Sequence, residues 1–261
     1  MKHSSITIPA FVICLEREAE RRLRIKQHLD AFGIDFSFSA AVDGRTLTPN
    51  DREQYYSEAL SIKTRGRPMA AGELGCYLSH SRIWEKMVSE RIPQALIIES
   101  DAVFTEEAVH VINAIEKQSL SWELLMLYYR ECFPAFRDRK SLTSQSKMVR
   151  FSNKSACTTA YLITLTGAKK LLKTAYPIQM PVDDYMTGGY INKNINTFGI
   201  HPRTIHITDD ALETSTIRED LFPMMEAEGI KRRVVDEKKI LKEMEKSARR
   251  FVKKIFPPVW L

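Results

Sequence analysis

Residues 92–103 read I-P-Q-A-L-I-I-E-S-D-A-V. Ala95, Leu96, Ile97 and Ile98 form an unbroken apolar run of the length of a strand covered on both faces. The run ends in Glu99, Ser100 and Asp101, which predicts two carboxylates at the strand's carboxyl end, where open α/β sheets bind ligands. Side-chain direction repeats every second residue along a strand, so Glu99 and Asp101 are expected to leave on one face and address one ligand. Two oxygen donors so placed suit a hard divalent cation that bridges phosphate oxygens. A core strand whose polar end only meets solvent would read the same way.

Working outward, residues 10–15 (A-F-V-I-C-L) predict a second buried strand. A charged turn follows, then a helix through Leu23, Ile25, Leu29 and Phe32 that stops at Gly33. Residues 35–42 alternate Phe36 and Phe38 with polar neighbours and read as a return strand, giving a β-α-β start and an α/β fold. Arg17 and Arg21, just past the first strand, are placed to reach a nucleotide phosphate or stack on a base.

Residues 46–67 are polar, with helical spacing only over 50–60, and are expected to form a loop over the site. Residues 69–90 predict a firm helix with Leu74, Leu78, Trp84, Met87 and Val88 as its apolar stripe. Gly72 and Gly75 near its start weaken it by roughly 1 kcal/mol each, so a close backbone approach is expected there. Glu73, Ser79 and His80 on this helix need partners inside the protein. Further on, residues 104–117 predict an amphipathic helix, 122–129 and 157–164 strands, 133–147 an irregular loop, and 167–175 a short helix. Residues 182–190 open with Asp183 and Asp184 where an N-cap belongs, and a carboxylate there stabilises the first turn or is held as a general base. Residues 196–207 read as two short strands, on which His201 and His206 either offer imidazole metal ligands or are structural, as their spacing favours.

The net charge of +6 is concentrated at one end. Residues 231–261 hold 11 Lys or Arg against four Asp or Glu, a surplus of seven that leaves −1 for the preceding 230 residues. That distribution argues against a basic groove tracking a polynucleotide, so no nucleic-acid partner is expected. The same segment spaces Ile240, Leu241, Met244, Ala248, Phe251, Val252 and Ile255 at helical intervals. It predicts a basic amphipathic helix lying on the inner-membrane surface, or else one packed back on the domain with a solvated basic face. The four cysteines lack zinc-finger or C-x-x-C spacing and are expected to be reduced. Residues 1–9 have no apolar signal core, and no run reaches the roughly 20 apolar residues of a membrane span, so a cytoplasmic, peripheral location is expected.

Five segments together resemble glycosyltransferase family 25, the lipooligosaccharide galactosyltransferases and their collagen-modifying relatives. They are F-V-I-C-L-E-R-E-A-E-R-R (11–22), G-E-L-G-C-Y-L-S-H (72–80), A-L-I-I-E-S-D-A (95–102), T-A-Y-L-I-T-L-T-G-A-K-K-L-L (159–172) and P-V-D-D (181–184). The resemblance implies a GT-A-like domain over residues 1–230, a nucleotide-sugar-binding Rossmann-type mixed sheet flanked by helices, with the tail 231–261 outside it. It implies a divalent cation, manganese or else magnesium, on a D-x-D-like motif, and transfer from UDP-galactose to a lipooligosaccharide glycan with inversion. The family strand usually ends E-D-D; here Ser100 replaces the middle acid and the outer two remain. Asp101 is carried over as principal metal ligand and Glu99 as its partner. Leu15, Arg17, Arg21, Glu73, Ser79, His80, Ser100 and Thr159 are expected around the nucleotide sugar. Asp183, or else Asp184, is expected near the acceptor as the base that inversion requires. A metal-dependent phosphoesterase and a degenerate membrane-bound scaffold are the alternatives compatible with the same residues.

Overall fold

The computed structural model describes residues 6–135, 138–151, 155–187, 194–211, 215–227 and 229. The elements run β1 (Ala10–Cys14), α1 (Ala19–Ala31), β2 (Ser37–Ala40), a 3-10 turn (Gly44–Thr46), α2 (Pro49–Tyr55), α3 (Glu58–Arg65), α4 (Ala71–Ser89), β3 (Gln94–Glu99), β4 (Ala102–Phe104) and α5 (Glu106–Lys117). They continue with β5 (Leu124–Met126), β6 (Lys140–Ser141), β7 (Lys147–Val149), β8 (Ala160–Thr164), α6 (Leu165–Leu172), α7 (Val182–Met186), β9 (Thr197–His201), β10 (Ile205–Ile207) and α8 (Thr216–Ala227). Eight strands form one mixed sheet in the order β2-β1-β3-β8-β5-β9-β7-β6, and β10 pairs with β4 in a separate ribbon. The chain divides into two units, Met1–Met224 and Met225–Leu261. The predicted amphipathic tail and its membrane contact lie outside the described residues, among which no helix is long and apolar enough to cross a membrane.

The apolar runs work as expected, because both faces of the sheet are covered. Val12, Leu96 and Ile98 belong to a core layer with Ile25 and Leu29 of α1 and Ile112 of α5. Phe11, Ile13, Ala95 and Ile97 belong to the other, with Leu74, Leu78 and Trp84 of α4 and Leu171 of α6. Alternate residues thus feed opposite layers, and burying one such aliphatic side chain contributes about 1.5–3 kcal/mol. Glu99 shares the parity of Ala95 and Ile97, so it emerges on the α4 side.

Three expectations are corrected. Residues 46–67 are not a loop over the site but hold two capped helices: Thr48 and Asp51 close a capping box on α2, Ser57 caps α3, and Gly66 ends it at φ 75°. A cap offsets weak periodicity because it satisfies helix N–H groups that otherwise lack partners. Second, β3 stops at Glu99, and Ser100 and Asp101 form a turn into β4. Strand alternation is therefore not what brings Glu99 and Asp101 together. Third, Asp183 and Asp184 are not helix caps: Pro181 holds that position, and both acids lie within the first turn of α7.

The expected close approach at Gly75 is present. A Cβ built there would lie 2.5 Å from the carbonyl oxygen of Val42, and one at Gly44 would lie 1.7 Å from that of Ala71. Ser79 fastens the same junction, accepting from Val42 N–H at 2.8 Å and donating to the Gly75 carbonyl at 2.6 Å.

Candidate functional site

β1 is flanked by parallel strands on both sides, β2 on one and β3 on the other. The chain leaves β1 through α1, in one core layer, and enters β3 from α4, in the other. Connections that diverge to opposite faces leave a crevice at the carboxyl ends of the strands between them. A cleft occupies that position. Leu15 and Arg21 line it after β1, Ser79 and His80 from α4, and Glu99, Ser100 and Asp101 after β3. The turn after β2 adds Asp43, Gly44 and Arg45. Asp220 of α8 also lines it, accepting from Arg45 Nε at 2.9 Å and Gly72 N–H at 3.1 Å.

His80 is fully buried, and its ring is held at both nitrogens. Nδ1 lies 2.9 Å from the Tyr161 hydroxyl, which is also 3.1 Å from Trp84 Nε1, and Nε2 lies 3.2 Å from Glu99 Oε1. Indole N–H only donates, so the Tyr161 oxygen accepts from Trp84; its own hydrogen is free to go to Nδ1 when the carboxylate on the other side of the ring calls the ring proton to Nε2. Nε2 then carries the ring proton and donates it to the Glu99 carboxylate; the opposite tautomer would turn a lone pair on a negative charge. The order of donation therefore runs Trp84, Tyr161, His80, Glu99.

Thr158 Oγ1 donates to the same Glu99 oxygen at 2.5 Å. Burial pushes the Glu99 carboxyl up, but the His80 and Thr158 bonds outweigh it and hold it below its ordinary range. Asp101 is the opposite case. Burial, and then the charge of Glu99, push its carboxyl up to about 7. Its backbone carbonyl is anchored by Thr208 N–H at 3.0 Å, while Oδ1 is buried with no hydrogen-bond partner among the described residues. An orphaned carboxylate oxygen next to a second carboxylate is a poor arrangement alone and a fitting one around a divalent cation. Ser100 is buried at the turn that carries the chain from Glu99 to Asp101.

Other predicted residues sit elsewhere. Arg17 pairs with Asp43, whose residue lines the cleft although Arg17 does not. Thr159 is buried behind β3, its carbonyl accepting Glu99 N–H at 2.8 Å. Glu73 is not a cleft residue: it makes a buried bidentate pair with Arg67 at 2.6 and 2.7 Å and accepts from Ala70 N–H at 2.9 Å. These bonds satisfy Glu73 inside the fold. His201 and His206 are not gathered with the acids: both are exposed, His201 at the end of β9 and His206 on the β10–β4 ribbon. His201 Nδ1 lies 3.1 Å from the Tyr129 hydroxyl, and neither histidine lines the cleft.

Asp183 is close enough for its charge to help raise the thiols of Cys76 and Cys157, though it does not line the cleft itself. Its oxygens accept from Cys157 N–H at 3.0 Å and Asp184 N–H at 2.8 Å. Cys157 has φ 73°, a backbone state costing a non-glycine residue roughly 1–2 kcal/mol, and Asp183 holds it there. Burial, and then the neighbouring Asp184, raise the Asp183 carboxyl above its usual range. Asp184 forms an ion pair with Arg65.

Sequence reasoning missed Cys76, Thr158 and Asp220. Cys76 lines the cleft one helical turn before His80, and the C-x-x-x-H spacing on a predicted helix was the available signal. Thr158 and Asp220 carried none, since each is brought in by tertiary contacts.

The family model for glycosyltransferase family 25 (LPS biosynthesis protein) matches residues 7–186. The chain belongs to this family. It is 33% identical over 67% of its length to a glycosyltransferase 25 family member from Anopheles gambiae, covering 30% of that protein. It is 32% identical over 73% of its length to procollagen galactosyltransferase 1 from Danio rerio, covering 33% of that protein. The chain thus spans about a third of the length of these relatives. Among solved structures, a glycosyltransferase involved in glycosylation of the major capsid of PBCV-1 aligns over 74% of this chain and 80% of its own, at 10% identity and a TM-score of 0.40.

Proposed function

We propose that the protein is a divalent-metal-dependent, inverting glycosyltransferase that moves a hexose, galactose from UDP-galactose, to a hydroxyl of a lipooligosaccharide or lipopolysaccharide glycan. The observation that carries this reading is the pairing of Glu99 with Asp101 at the crevice, with one Asp101 oxygen buried and without a hydrogen-bond partner among the described residues. Family membership supports the reaction class, the family's description as an LPS biosynthesis protein supports the acceptor, and the similarity to procollagen galactosyltransferases supports the sugar.

Glu99 and Asp101 would hold the cation, which when bound supplies the positive charge that stabilises a departing diphosphate. Glu99 is kept ionised by His80 and Thr158, so it is ready as a ligand at neutral pH. Arg21 lines the same cleft and offers a guanidinium to phosphate oxygens. The acceptor oxygen bonds to the anomeric carbon as the bond from that carbon to the diphosphate oxygen breaks, and the hydroxyl proton passes to a carboxylate. Asp183 is that base in this reading, supported by its raised proton affinity.

Calorimetry with UDP, with and without manganese, tests the first assignment: Asp101→Ala should lose the manganese-dependent gain in affinity, and a retained gain refutes it. Asp183→Asn should lower turnover at least a hundredfold with UDP affinity unchanged. Unchanged turnover would leave Asp183 only its role at Cys157.

A further inference from the structure

Cys76 and His80 stand four residues apart on α4, on one face and one turn from each other. A ligand atom from each, and a carboxylate oxygen of Glu99, all lie within 4.8 Å of one another. We propose that Cys76, His80 and Glu99 form a binding site for a borderline divalent ion of the zinc class, distinct in its donors from the all-oxygen pair of Glu99 and Asp101.

The donor chemistry separates the two sites. Thiolate and imidazole select zinc or cobalt, whereas carboxylates select magnesium and manganese. The spacing suits the smaller ion's tetrahedron: ligand bonds of about 2.0–2.1 Å put neighbouring nitrogen and oxygen ligands about 3.3 Å apart. His80 Nε2 and Glu99 Oε1 already stand at 3.2 Å. Supporting contacts are in place as well. A metal-bound imidazole donates its other N–H to a fixed acceptor, and Nδ1 faces the Tyr161 hydroxyl at 2.9 Å. That hydroxyl accepts as readily as it donates, so it serves the ring when Nε2 turns its lone pair to an ion. Thr158 donates to Glu99 and holds that ligand of the set in place.

On binding, the Cys76 thiol proton leaves to solvent, and the imidazole stays neutral by exchanging its proton from Nε2 to Nδ1. Each ligand donates an electron pair and no atom changes oxidation state. Glu99 belongs to both donor sets, so a zinc-class ion would draw it away from the cation of sugar transfer and inhibit. That consequence rests on the proposed function; the site itself does not.

Cobalt is the probe. Titrated into the full chain, Co2+ should give a thiolate-to-cobalt charge-transfer band that Zn2+ displaces. The band should vanish in Cys76→Ser and survive in Cys132→Ser. Tyr161→Phe should weaken Co2+ affinity by about 10–100-fold. In the unaltered protein, Zn2+ should slow alkylation of Cys76, read by mass spectrometry, at least tenfold and leave Cys14 unaffected. No charge-transfer band in the folded protein, a band persisting in Cys76→Ser, or Cys76 alkylation indifferent to Zn2+ would each overturn the proposal. Loss of sugar transfer without these signals bears only on the proposed function.

Discussion

Replacing Tyr161 by Phe removes one oxygen and leaves the ring in place, which makes it a sharp test of the donation order through His80. Tyr161, Trp84 and His80 are each fully buried, so water cannot replace the lost oxygen. Two groups lose their partner at once: Trp84 Nε1, bonded at 3.1 Å, and His80 Nδ1, bonded at 2.9 Å. A buried polar group left unsatisfied costs about 1–3 kcal/mol, so the expected loss is about 2–6 kcal/mol, against about 0.5 kcal/mol for an ordinary surface change. Denaturation by urea at pH 7 measures it, with an unchanged slope showing that the denatured state is not the cause. Adding Trp84→Phe removes one orphan, so the double variant should lose less than the sum of the single ones. Nitrogen-15 shifts of the imidazole give an independent reading: the proton should sit on Nε2 in the parent. A loss below about 0.5 kcal/mol, or a parent ring protonated at Nδ1, refutes the reasoning.

Asp101 provides a pH test. Its folded-state pKa of about 7 lies above the unfolded value, so the stability it contributes is full below about pH 4 and is lost as pH rises through 7. Three pH units amount to about 4 kcal/mol, so in chelator Asp101→Asn should be more stable than the parent at pH 8 by up to that amount and equal to it at pH 4. Parallel stability curves for the two proteins would exclude this. Glu73→Gln should cost about 3–5 kcal/mol by leaving the buried Arg67 charge unpaired, read as a fall in urea midpoint; a change within error would show that the pair contributes nothing. Gly75→Ala forces a Cβ to within 2.5 Å of a carbonyl oxygen and should destabilise by about 1–3 kcal/mol or more, while an unchanged Tm would mean the junction gives way freely.

The central strands were legible because they are buried on both faces, whereas β6 lies within residues 133–147, expected to be an irregular loop, and both its residues are exposed. Residues 95–98 are wholly apolar and 160–163 depart from that only at the Tyr161 hydroxyl, and little else in an α/β chain looks like them. The crevice followed from the β-α-β start, and Glu99, Ser100, Asp101 and His80 do meet there. What the pattern could not supply was the company each polar residue keeps. Glu73 and His80 lie on one helix, seven residues apart, and the same reasoning marked both as needing partners. Only the fold decides that Glu73 meets Arg67 and is removed from the cleft, while His80 meets Glu99. Likewise, the histidines of residues 196–207 gave no sign that their two strands pair in different sheets. Capping explains the misread helices over residues 49–65, where Thr48 and Ser57 outweigh the scattered apolar spacing.

The contact between Gly44 and Gly75 has a mechanical consequence. Main chain presses on main chain there, with no side chain between to act as a cushion, and Ser79 rivets the two across Val42. The stretch from Val42 to Arg45 therefore has no hinge of its own against the helix. If a ligand pulls on that wall, Cys76 and His80 travel with it as one rigid lever, and the pull is delivered to Glu99.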